Sequence, residues 1–236
     1  MENLSRDALY EQKWQKFLGR IWPFKFIPFV DFVLAAGSLA TGNMREESDF
    51  DVIVGVRQGR IFTARAFCVL AFGMFGWRAK HKRNFSRHSH GFVVSHRVRD
   101  KICLNHFVTP AAYRLSPPYN EYWKNLYQKL VPIYGSPEII QKFFNANADW
   151  TGTVRNSLSK GSLGLRLRAG AVSNGIGWLL SGWFGDWLEK NLKAIQVKRI
   201  ESSLKSQTGY KPRIIFNDNE LEFHPDTRRI ELLINE

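Results

Sequence analysis

The sequence predicts an α/β fold of the α+β type: a mixed sheet flanked by helices, with a mainly helical C-terminal part and short terminal strands. Apolar runs at 31–36, 50–56 and 101–109 have the length and composition of buried strands. Segments 5–20 and 60–77 have the helical spacing or the Ala- and Leu-rich composition of helices. With 44% hydrophobic and 23% charged residues in 236, the chain can bury a sizeable core.

The N-terminal helix follows from local signals. In segment 5–20, Leu9, Trp14 and Phe17 recur at near-helical spacing, and Ser5 is a suitable N-cap. Two prolines then interrupt the chain before the first strand. We therefore expect an N-terminal helix over 1–24, a core over 25–110, and a mainly helical region over 111–236 packed on that core.

The C-terminal elements are predicted from caps and turns. Ser136 followed by Pro137 is typical of a helix start. Segment 151–185 is rich in Gly and Ser, so no element is assigned there. The remaining predicted elements are a strand over 91–95, helices over 120–130, 138–145 and 186–205, and short strands over 213–216, 221–223 and 229–234.

The positive charge of the chain is concentrated in two segments. Lys and Arg total 34 against 21 Asp and Glu, a formal net charge of +13. Segment 78–101 has 8 basic residues and 1 acidic residue, and segment 155–213 has 11 and 3. This distribution indicates an anionic partner, such as a nucleotide, a nucleic acid or an anionic membrane.

The cysteines and the termini narrow the class of protein. Cys68 and Cys103 lie in apolar runs, which predicts buried free thiols and excludes a disulfide-framework protein. The N-terminus has no apolar targeting stretch, and no run of about 18 residues is both uncharged and strongly apolar. We therefore expect a soluble, cytoplasmic protein.

The residues with a pattern typical of a phosphate and metal site lie in segment 37–51. Gly37 and Ser38 follow the first strand, and after ten intervening residues Asp49 and Asp51 run into the second. Side chains alternate along a strand, so both aspartates face one side, about 6.6 Å apart along the backbone. Such a pair suits Mg²⁺ or Mn²⁺, which bind carboxylates together with substrate phosphates. The glycine lets a phosphate approach the backbone, and the Ser38 hydroxyl can donate to it.

This pattern resembles the signature of the DNA polymerase β-like nucleotidyltransferase superfamily. That signature is Gly-Ser, then Asp-x-Asp with apolar flanks at this distance. The wider chain is similar to bacterial nucleotidyltransferase-domain proteins at residues 37–43, 48–52, 101–107 and 144–150. The resemblance implies a nucleotidyltransferase core over 25–110 that moves a nucleoside monophosphate from an NTP to an acceptor such as RNA.

The resemblance also implies the roles of individual residues. Gly37 and Ser38 would hold the triphosphate, and Asp49 and Asp51 would be catalytic ligands of Mg²⁺. In this superfamily a third carboxylate on a later strand commonly completes a second metal site. Here strand 101–109 has no Asp or Glu.

The later strand instead offers neutral candidates for the missing acid. We take Asn105 as the third catalytic residue, because its carbonyl oxygen can ligate or accept a hydrogen bond. His106 offers a base, but regular alternation would point it to the opposite face. A catalytically inactive nucleotide- or RNA-binding module of the same fold is therefore the alternative.

The basic segments provide candidates for contact with the acceptor. Segments 78–101 and 155–213 could neutralise the phosphates of a nucleic acid, although a solvated basic loop is the simpler alternative. The first segment contains the candidate phosphate-binding residues Lys80, Lys82, Arg83 and Arg87.

Segment 177–187 contains three tryptophans and is flanked by cations. Packing on the core, a peripheral membrane contact and a protein contact all stay open for it. The sequence does not set the oligomeric state.

Overall fold

The computed structural model describes residues 6–79, 99–117, 119–152, 171–205 and 213–224. Within them, a six-stranded sheet has the order β4-β1-β2-β3-β6-β5. Strands β2 and β3 are parallel, and the other neighbouring pairs are antiparallel. The strands are β1 (Val30–Ala35), β2 (Phe50–Val56), β3 (Ile102–Val108), β4 (Val131–Gly135), β5 (Arg213–Phe216) and β6 (Glu220–His224).

Eight α-helices accompany the strands in the described part of the chain, and 3-10 turns occupy Trp22–Phe26 and Pro110–Ala112. None of these helices has both the length and the apolar character needed to cross a bilayer. The helices are α1 (Arg6–Arg20), α2 (Gly37–Thr41), α3 (Ile61–Met74), α4 (Glu121–Lys129), α5 (Pro137–Asn145), α6 (Ala148–Thr151), α7 (Ala171–Leu179) and α8 (Trp183–Lys205).

The predicted α+β fold is confirmed, with one strand that was not predicted. Strand β4 lies at the sheet edge beside β1 and contains Pro132. A proline cannot donate to a ladder, so an edge is where a strand tolerates it. The region 111–236 contributes β4, β5 and β6 to the sheet, in addition to helices. The strands predicted over 91–95 and 229–234 lie outside the described residues.

The core lies on both faces of the sheet. In β1, Val33 and Ala35 belong to a cluster with apolar side chains of α1, α3 and α8, whereas Phe32 and Leu34 pack with α4 and α5. This alternation is what a strand covered on both faces requires. Cys68 lies in the first cluster, and both cysteines are buried and free, as predicted.

The strand directions bring three chain segments to one end of the sheet. Strand β1 ends where antiparallel β2 begins, since Ala35 pairs with Val52. Parallel β3 begins at the same end, since Ile102 pairs with Phe50. The residues after β1 and those starting β2 and β3 therefore meet, and these include the Gly-Ser pair and both aspartates.

Candidate active site

Gly37 stands in direct contact with Asp51. The backbone of Gly37 has φ +59°, and a hydrogen bond from Ala36 N to Asp51 O (3.0 Å) ties β1 to β2 just before it. A Cβ atom added at Gly37 would lie only 2.9 Å from Asp51 Cγ and 3.0 Å from Asp51 Cβ. Only glycine fits both the left-handed backbone and this close approach.

Asp49, Asp51 and Cys103 form a cluster at this end of the sheet. Their carboxylate and thiol atoms lie within 4.8 Å of one another, with the aspartates half-buried and the thiol buried. The prediction that both aspartates face one side is thus confirmed. Cys103 belongs to this cluster because it pairs directly with Asp51 across the β2–β3 ladder.

The electrostatics of the cluster keep the thiol neutral. Burial raises the pKa of Cys103 well above its usual value, and the Asp51 and Asp49 carboxylates raise it further. Burial also raises the pKa of Asp49, against the opposing effects of a hydrogen bond with Cys103 and the charge of Lys13. A neutral thiol is a hydrogen-bond donor rather than a ligand for a hard cation. Asp49 and Asp51 therefore remain as the groups that could hold Mg²⁺ or Mn²⁺.

Helix α1 is hydrogen-bonded to the loop that precedes Asp49 and β2. Lys13, fully buried, donates to Glu46 O (2.6 Å) and Ser48 O (3.1 Å) and pairs with Asp100 Oδ1 at 2.8 Å. Lys16 pairs with Asp100 Oδ2 at 2.7 Å. Burial acts to raise the pKa of Asp100, but these two lysines outweigh it and hold that pKa low. Asp100 is therefore an ionised structural anchor next to the site.

Asn105 lies two residues beyond Cys103 and is half-buried. From Asp51 to Ile53 on β2, the partner residues run from Cys103 to His106 on β3, so β3 has an extra residue there. Such a bulge ends the regular alternation on which the prediction for Asn105 depended. The catalytic role of Asn105 stays a prediction, whereas the Cys103 thiol lies within 4.8 Å of the acidic pair.

The surroundings of the acidic pair include Ser38 and Tyr122. The Ser38 hydroxyl donates to Met44 Sδ at 3.3 Å in the described structure. Tyr122, at the start of α4, is 42% exposed, and its pKa is raised by burial and by the charge of Asp51. The sequence predicted Tyr122 only as a helix residue, and no local pattern connects it with a motif about 70 residues earlier.

A second cluster of ionisable side chains is buried between β3 and β6. His106 Nε2 lies 3.2 Å from Glu220 Oε1, Ser116 donates to Glu220 Oε2 (3.3 Å), and Glu222 completes the group. His106, Glu220 and Glu222 are at most 3% exposed. His106 is therefore engaged in the interior and does not reach solvent as a base. Alternation of the glutamates with Leu221 and Phe223 was the available sequence signal.

The other predicted contacts fall in different parts of the molecule. In segment 177–187, Leu180 is buried in the first core cluster, whereas Trp178 and Trp183 are both 81% exposed, so the segment packs on the core and leaves these two rings at the surface. Much of both basic segments lies outside the described residues. The same is true of the candidate phosphate-binding residues Lys80, Lys82, Arg83 and Arg87.

Comparison with protein-family models, curated proteins and solved structures found no match to this chain.

Proposed function

We propose that the protein is a Mg²⁺-dependent nucleotidyltransferase that moves a nucleoside monophosphate from an NTP to an acceptor, for which RNA is our candidate. The observation that carries the proposal is the contact of Gly37 with Asp51, with Asp49 in the same cluster. This contact brings the two halves of the motif together. The first half is the Gly37 backbone, which a phosphate can approach, and the second is the pair of carboxylates, which can bind a divalent cation.

The proposed reaction is a displacement at the α-phosphorus. An acceptor hydroxyl oxygen bonds to the α-phosphorus, the bond to the α,β-bridging oxygen breaks, pyrophosphate leaves, and the hydroxyl proton passes to water. A bound Mg²⁺ would neutralise charge on the phosphate oxygens. The chain would hold the ion through Asp49 and Asp51 and position the triphosphate with Gly37 and Ser38. Tyr122 offers a half-exposed ring within electrostatic reach of Asp51, on which a base could stack.

The test is transfer of label from NTPs labelled at the α-phosphate, with Mg²⁺ or Mn²⁺ and total cellular RNA or protein as acceptor. We expect transfer by the wild type and a loss of at least about a thousandfold in Asp49→Asn plus Asp51→Asn. The matched control is Asp7→Asn on the exposed side of α1, which should keep full activity. Label transfer that persists in the double variant would refute the assignment of the aspartates.

The second candidate is an inactive nucleotide- or RNA-binding module of the same fold. Cys103 favours it, because a neutral thiol stands opposite Asp51 on the strand where the resemblance leads us to expect a third carboxylate. Calorimetry separates the two candidates. Mg²⁺-dependent NTP binding without pyrophosphate release, over a range of acceptors, would favour the binding module.

A further inference from the structure

A groove between α3 and α8 lies on the sheet face opposite α4 and α5. Its volume is about 800 Å³, within the range of cavities that hold small ligands. Much of its lining is apolar. The apolar lining includes Val69, Leu70 and Met74 of α3, Leu192 and Ile195 of α8, and Phe223 of β6.

Three arginines converge on this α3/α8 groove. Arg65 donates to Gln196 Oε1 (2.6 Å) and stands 5.0 Å from the Phe223 ring centroid, and its Nε is buried with no hydrogen-bond partner. Arg78 and Arg199 line the same groove. Among the ion pairs between described residues, none involves any of these three guanidinium groups.

Burial and neighbouring charges both act on these arginines. Burial lowers the pKa of Arg65 to about 10, and the charge of Arg78 adds to this effect. Burial likewise lowers the pKa of Arg78, while Cys103 acts in the opposite direction and Arg199 adds to the lowering. Arg65 and Arg78 are partly buried, and buried cations of like charge without an anion are costly to hold together. An anion in the groove would therefore be stabilised by all three.

The rim of the groove indicates what kind of anion it takes. Leu70 is 61%, Met74 74% and Ile195 51% exposed. On the same helix as Ile195, Trp183 and Trp187 are 81% and 54% exposed. Nucleic acid backbones need cations but not an apolar rim, whereas a lipid presents a phosphate and acyl chains together.

We propose that the α3/α8 groove binds an anionic phospholipid at a bilayer surface. The phosphate sits between Arg65, Arg78 and Arg199, and the acyl chains lie against the exposed apolar rim. Arg78 bridges to Ile102, next to Cys103 in the chain, so the groove adjoins the acidic cluster through β3. The proposal does not depend on the transferase reaction, because vesicle binding requires no nucleotide.

The test is flotation of the full chain with vesicles of phosphatidylcholine alone and of phosphatidylcholine mixed with phosphatidylglycerol. We expect binding to the mixed vesicles only. Arg78→Gln plus Arg199→Gln should weaken partition about 30-fold, at roughly fivefold per cation near a membrane surface. The matched control is Lys129→Gln plus Lys142→Gln, exposed cations on the opposite sheet face, which should keep binding within about twofold.

A second double variant tests the apolar rim. Leu70→Ser plus Met74→Ser removes exposed side chains, so the thermal midpoint should not change while vesicle binding falls about tenfold or more. Equal binding to both vesicle types would overturn the proposal. So would full vesicle binding by the arginine variant or by the rim variant. Displacement of the vesicles by RNA, with RNA binding lost in the arginine variant, would identify a nucleic-acid site instead.

Discussion

Gly37→Ala is the substitution that tests the candidate active site most directly. The backbone there has φ +59°, which costs a residue with a Cβ atom about 1 kcal/mol. The new methyl group would also lie 3.0 Å from Asp51 Cβ and 2.9 Å from its carboxylate carbon, so the carboxylate has to move away. We expect the metal affinity to fall by about tenfold or more, as it does when groups that orient a ligand are lost.

Gly42→Ala is the matched control for this experiment. Gly42 ends α2 with φ +79°, but a Cβ added there has no atom within 4 Å. It therefore carries the same backbone cost of about 1 kcal/mol without the contact. The difference between the two variants isolates the contact between the glycine and Asp51.

The assay combines urea denaturation with titration of Mn²⁺ and with label transfer. Both variants should lose similar stability, and only Gly37→Ala should lose Mn²⁺ affinity and transfer. If Gly37→Ala binds Mn²⁺ as the wild type does, the close approach does not position Asp51. If Gly42→Ala loses Mn²⁺ affinity equally, backbone strain in α2 explains the effect and the reasoning fails.

Two further predictions concern charge around the site. Burial raises the pKa of Asp49, so the contribution of Asp49 to the stability of the fold declines as pH rises through that raised pKa. Mn²⁺ binds only the ionised form of the carboxylate. Mn²⁺ affinity measured by calorimetry should therefore fall as pH is lowered through the raised pKa, by up to about tenfold per pH unit, and Asp49→Asn should remove this dependence. Lys13→Met removes a buried ammonium group that pairs with Asp100 and donates to Glu46 O and Ser48 O, while Lys16 still pairs with Asp100, so urea denaturation should show a loss of about 1–3 kcal/mol. Adding Asp100→Asn should restore part of this loss, and no restoration would assign the loss to the two backbone hydrogen bonds instead of the ion pair.

The local part of the site could be predicted from the sequence. Gly37, Ser38, Asp49 and Asp51 lie on one β1–α2–β2 unit, and period-two alternation sets the direction of the two aspartate side chains. The antiparallel β1–β2 pairing then brings the two halves together. Strands β1, β2 and β3 were predictable for a related reason, since each is a continuous apolar run covered on both faces.

The rest depends on pairings between distant segments. The bulge in β3 changes which side chains share the face of Asp51, and no local propensity encodes its position. Strand β4 was missed because a short run with a proline is acceptable only at an edge, and the edge is a property of the finished sheet. The burial of Glu220 and Glu222 likewise requires β6 to pair with β3, more than a hundred residues earlier.

Cys103 bears on how many divalent cations the proposed site would balance. Its thiol is neutral, so the cluster has the charge of two carboxylates, which balances one divalent cation. Cys103→Asp would add a third carboxylate opposite Asp51, and we expect Mn²⁺ affinity to rise about tenfold or more, because ligand charge sets affinity at such sites. Without metal, crowding of the carboxylates should lower the free energy of unfolding. Cys103→Asn is the neutral control of equal size. If both variants bind Mn²⁺ alike, the β3 side chain does not reach the ion, and the missing charge cannot be what separates a transferase from a binding module.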